Sequence, residues 1–113
     1  MPRHDDRVYL RHMLGHARTC IELSTGYSRE SLDENRMLRY ALLHLLCILG
    51  EAANRVTAEG RKQHPQFPWR DVVGMRNALI HGYDNVDLDI LWKTVEADLP
   101  AVVDSLAQAL GDS

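Results

Sequence analysis

The chain has 113 residues, of which 16 are acidic and 13 basic, for a formal net charge of −3 and an apolar fraction of 45%. One hydrophobic core fits this length and a second domain does not, so residues 1–113 are read as a single domain. The charge balance excludes a general polycationic coat for nucleic acid but leaves room for a local basic funnel, and the mixing of charges with Leu, Ile and Val excludes disorder.

The opening MPRHDDRVYL lacks the apolar run of a secretory signal. From Asp5 to about Leu23, the apolar residues Leu10, Leu14, Ala17 and Ile21 recur at spacings of four, three and four, one stripe of an amphipathic helix. Asp5 and Asp6 stand at its start, where acidic side chains complement free N–H groups. His12 and His16, four apart, have the spacing to share a metal ion; with no carboxylate or cysteine to complete a set, they read as surface histidines. Gly26 breaks the pattern, and STGYSRESLDEN reads as a linker holding at most a short turn.

A second helix starts between Ser31 and Asn35 and runs to about Glu59. From Met37 to Leu49 its apolar residues cover almost every face, which marks it as the central helix. Gly50 interrupts that run at a propensity cost of about 1 kcal/mol, which implies the close approach of another backbone. Glu51 and Arg55 are spaced to pair. The longest apolar run, YALLHLLCILG, has 11 residues, too few to span a bilayer. Cys20 and Cys47 lie in apolar patterns as free thiols, which suits a reducing cytoplasm.

EGRKQHPQFPW is a loop, and its Arg61, Lys62 and His64 form the one compact basic cluster. Pro68 or Trp69 opens a third helix, packed through Val72, Val73, Met75, Leu79 and Ile80 and stopped at Gly82. Asp84, Asp87 and Asp89 lack the glycine and terminal Glu of a calcium loop, and Asp87 or Asp89 is expected to cap the last helix. That helix runs from near Leu88 to Leu110 and is kinked at Pro100, with Leu91, Val95, Leu99 and Val102 in phase across the break. The expected fold is all-α, an up-and-down bundle of four to five helices, three of them long.

The chemistry concentrates in GMRNALIHGYDNVD, Gly74 to Asp87. Asn77 and His81 share a helical face, with Arg76 about 140° away. A histidine titrating near 6.5 accepts or donates a proton around neutrality, and an arginine offers a charged fork to phosphate. Together they suit cleavage of RNA by its own 2′-hydroxyl, which needs two proton transfers and charge stabilisation at phosphorus. One histidine does not serve both ends of that reaction, so Tyr83 or a symmetry-related His81 supplies the second group. The same residues have a plainer account as surface ion pair, helix-end hydrogen bond, C-terminal cap and bundle cover.

RNALIHGY, Arg76 to Tyr83, resembles the Arg-x4-His-x-Tyr motif of the HEPN superfamily. More narrowly, YLRHML, ILGEAANRV and FPWRDVVGMRNALIHGYDNVDLDILWKTVEADLP make the whole chain similar to the HepT-like toxins. The resemblance implies a HEPN-like helical homodimer in which Arg76 and His81 are the metal-independent catalytic pair at an interface cleft, with no cofactor. It implies a minimal nucleotidyltransferase antitoxin as partner, which transfers AMP to Tyr83 and so blocks the cleft. Asn77, Glu51 and Asn54 are carried as supporting residues. The alternative is a non-catalytic helical subunit that partners and regulates the nucleotidyltransferase.

Overall fold

The computed structural model describes residues 5–81 and 85–111. Its first element, α1 (Asp6–Ser24), begins where the Asp5 side chain accepts a hydrogen bond from Arg7 N. Of the stripe Leu10, Leu14, Ala17 and Ile21, the first three are buried, joined by Met13 and Cys20, and Ile21 is half-buried against the core. A single turn, α2 (Ser31–Glu34), interrupts the linker. Then α3 (Arg36–Asn54) starts at Asn35, whose side chain caps Leu38 N. This helix ends five residues earlier than its pattern suggested, because the Arg61 guanidinium reaches back to the Val56, Ala53 and Asn54 carbonyls at 3.2–3.3 Å.

The long helices are arranged around α1, which packs against both α3 and α8 (Leu99–Leu110). Asp6, at the start of α1, accepts from Thr57 N at 3.0 Å and Thr57 Oγ1 at 2.6 Å, just beyond the end of α3. At the same end Arg7 Nη2 donates to Leu110 O at 3.2 Å. Both neighbours therefore run antiparallel to α1. As expected of the central helix, α3 packs against α1, α2 and the two short helical segments between residues 69 and 79, but it is not covered on every face: Leu42, Leu46 and Leu49 are buried, while Met37 and Tyr40 on its outer face are 83% and 58% exposed.

The count of four to five helices is also overturned. Among the described residues there are eight α-helical segments, three of them long, together with one π-helical turn and a two-residue β ladder. Three local causes divide the expected elements. The loop after α3 coils into α4 (Ala58–Lys62), because Thr57 Oγ1 accepts from Gly60 N at 3.0 Å. Its Arg61 is committed to the α3 carbonyls and lies 5.7 Å over the Trp69 ring. The third helix splits at Gly74 (φ −83°, ψ 4°) into α5 (Trp69–Val73) and α6 (Met75–Leu79). There it must pass α3, where a Cβ on Gly50 would come within 2.9 Å of Val72 O, the close approach expected of that glycine.

The last helix is one in-phase stripe, but its irregularity precedes Pro100. It comprises α7 (Leu88–Lys93), a π-helical turn over Thr94–Asp98, and α8. Pro100 has no N–H and its ring crowds the carbonyl four residues earlier. The widened turn, closed by Leu99 N–H to Thr94 O, supplies the slack, and Thr94 Oγ1 bonds Ile90 O at 2.8 Å. Leu91, Val95, Leu99, Val102, Leu106 and Leu110 remain buried throughout. At about 1.5–3 kcal/mol for each fully buried aliphatic side chain, that stripe outweighs the irregular turn.

Candidate active site

Helix α6 is anchored by Met75 and Leu79, both buried, which turns the intervening Arg76, Asn77 and Ala78 outward. At Ile80 the backbone leaves the helix for an extended conformation (φ −108°, ψ 116°). Ile80 and His81 form β1, paired antiparallel with β2 (Asn85–Val86) in the register Ile80 to Val86 and His81 to Asn85. His81 thus stands on a short ladder rather than in a helix's final turn. The reason is visible in the side chains: Ile80 is half-buried and β-branched, and the ladder continues with Asp87 N donating to Leu79 O at 2.8 Å. Gly82, expected as the stop, and Tyr83 and Asp84 beside it lie outside the described residues.

The ladder brings His81 and Asp87 together. The His81 side chain is 52% exposed, and its Nε2 lies 3.9 Å from Asp87 Oδ2, an ion pair when the ring is protonated. Asp87 is held in turn, because its Oδ1 accepts from Ile90 N at 3.0 Å and caps α7. The capping role was legible in the sequence; the position opposite His81 was not, since six residues of separation say nothing until a hairpin closes them.

Arg76 is exposed on the flank of α6 that meets α3. Burial pushes the Cys47 thiol of α3 up, and the Arg76 guanidinium opposes that rise, which places the two side chains in electrostatic reach. Asn77 is exposed one residue on. Glu51 and Asn54 are exposed near the end of α3, where Glu51 lies 3.7 Å from Arg55 and the Asn54 carbonyl accepts from Arg61. These contacts join Glu51 to Arg55 and the Asn54 backbone to Arg61 of α4, and none of them involves Arg76 or His81. A groove of about 770 Å3 follows the other flank of α6, past Met75, Ala78 and Leu79, and Arg76, Asn77 and His81 are not part of its lining. Within one chain the pair Arg76 and His81 belongs to an open surface.

A protein-family model described as ribonuclease HepT-like matches residues 13–109, a span that contains Arg76, His81 and Asp87. The chain belongs to the ribonuclease HepT-like family. A candidate RNase of Methanocaldococcus jannaschii is 35% identical to this HepT-like chain over 102 residues, 90% of this chain and 94% of that protein. The protein named as a probable ribonuclease HepT in Thermococcus cleftensis is 37% identical, covering 73% of this chain and 78% of its own length. A candidate RNase of Caldanaerobacter subterraneus is 34% identical, with coverage of 92% and 93%. No solved structure matches the chain. The family identity expected from RNALIHGY and its flanks is thereby established, and the all-α HepT-like architecture agrees with it. Among the described residues no helix is long and apolar enough to cross a membrane.

Proposed function

We propose that this HepT-like chain is an endoribonuclease toxin that cleaves RNA without a metal, using Arg76 and His81 at the cleft of a homodimer. The observation that carries the reading is the exposed His81 beside the fixed carboxylate of Asp87, with Arg76 exposed on the preceding helix. The 2′-hydroxyl of the substrate gives up its proton and its oxygen bonds to the adjacent phosphorus. The bond from phosphorus to the 5′-oxygen breaks, and that oxygen takes a proton, leaving a 2′,3′-cyclic phosphate and a 5′-hydroxyl. His81 performs one transfer, and the Arg76 guanidinium neutralises charge on the non-bridging oxygens.

A second proton-transfer group comes from a second copy of the chain. The open setting of Arg76 and His81, and the exposed Met37 and Tyr40 on the outer face of α3, support a surface completed by a partner. Asn77, Glu51 and Asn54 are carried in this reading as supporting residues. Silencing follows from AMP transfer to Tyr83 by a minimal nucleotidyltransferase antitoxin, since a bulky anion two residues from His81 would fill the cleft and draw Arg76 away from substrate.

The test is digestion of RNA in EDTA with analysis of the product ends. Wild-type protein yields cyclic phosphates, and His81→Ala or Arg76→Ala lowers the rate by about 10²–10⁴-fold at unchanged helicity. Cleavage by His81→Ala at the wild-type rate overturns the catalytic assignment. Absence of cleavage by wild type, together with AMP attachment at Tyr83 seen by intact mass, favours the regulatory-subunit reading instead.

A further inference from the structure

Outside the candidate active site, the side chains richest in unassigned chemistry are the imidazoles on the seam between α1 and α3. His12 is exposed and His16 half-buried on α1, and His44 is exposed on the neighbouring α3. We infer that His12 and His16 form a two-histidine chelate for a borderline divalent transition ion of the zinc and copper class. The site is separate from Arg76 and His81, and the inference stands whether or not the chain cleaves RNA.

The argument is geometric. Histidines four apart on a helix project from one face, the spacing by which helical metal sites present two imidazoles to one ion. The His12 and His16 ring centroids are 6.4 Å apart at an interplanar angle of 45°. Two imidazoles that share an ion at metal–nitrogen distances of about 2.0–2.1 Å have centroids about 5–6 Å apart, so a small rotation about the side-chain bonds closes the pair. The His12 ring is steadied from behind by Tyr9, which it meets edge-on at 6.1 Å and 88°. The helix between them is well formed, which pre-organises both ligands at little cost in backbone order.

Burial first, then His12 and His44, hold the His16 imidazole below its ordinary value, which puts His44 of α3 within electrostatic reach of the pair. Among the described residues, however, no three His, Cys, Asp or Glu side chains converge on one point. The site is therefore an open chelate, its remaining positions filled by water, and not a closed structural zinc site. Neutral nitrogen ligands select borderline ions over oxygen-seeking ones, and copper should bind more tightly than zinc.

The experiment is calorimetric titration of tag-free protein with Zn2+, Cu2+ and Mg2+ salts as separate probes. One equivalent of Zn2+ is expected to bind, Cu2+ to bind more tightly, and Mg2+ to give no signal. His12→Ala and His16→Ala each weaken Zn2+ binding about tenfold or more, whereas His64→Ala, in the segment that follows α4, leaves it unchanged. His12 is exposed and its replacement should not disturb folding, which circular dichroism checks. Zn2+ affinity unchanged in both His12→Ala and His16→Ala, or Mg2+ binding as strong as Zn2+, overturns the site.

Discussion

At the scale of single residues, Asp87 divides its two carboxylate oxygens between two tasks. Oδ1 closes the start of α7 and Oδ2 faces His81. Asparagine retains an oxygen for the cap but loses the negative charge. Asp87→Asn should therefore keep the melting temperature and slow RNA cleavage, by less than His81→Ala does. Asp87→Ala should slow cleavage and also cost about 1 kcal/mol of stability from the lost cap. Wild-type cleavage by Asp87→Asn would show that the carboxylate has no part in positioning the ring. Cys20 shows the opposite situation: burial pushes its thiol up to about 12, so it is a packing residue with no nucleophilic role.

At the scale of elements, two glycines on long helices differ in what surrounds them. A Cβ at Gly15 meets nothing within 4 Å, whereas one at Gly50 runs into the carbonyl of Val72. Gly15→Ala is expected to raise stability by about 0.5–1 kcal/mol through helix propensity. Gly50→Ala should lower it by about 1–3 kcal/mol, because overpacking forces α3 and α5 apart. Urea denaturation of both variants measures the contrast, and destabilisation by Gly15→Ala would contradict it. The same crossing of α3 and α5 explains why a helix expected to continue to Gly82 was divided. Its apolar positions have helical spacing, but Gly74 and the β-branched Ile80 permit breaks that packing and the Leu79 to Asp87 hydrogen bond then select.

At the scale of the whole molecule, the ends of all three long helices are gathered at one pole by Asp6 with Thr57 and Arg7 with the Leu110 carbonyl. Asp6→Ala removes both bonds to Thr57 and should destabilise the fold by about 1–2 kcal/mol, discounted for their exposure. Its RNA cleavage at low temperature should be unchanged, since α6 and the ladder are not part of that pole. Thermal melting and a cleavage assay on one preparation separate the two effects.

Local pattern alone sufficed for the helical class, the buried stripes of α1 and the last helix, the tight passage at Gly50 and the family signature around Arg76 and His81. These depend on periodicity, on glycine's missing Cβ and on contiguous residue identity, all of which are short-range properties. The folded chain was needed for the ladder that carries His81, for Asp87 opposite it, for the π-helical turn ahead of Pro100 and for the use of Arg61 as a cap. Each joins groups through a hydrogen bond or packing contact whose partner is chosen by tertiary closure, and several local sequences of equal propensity would have met that closure differently.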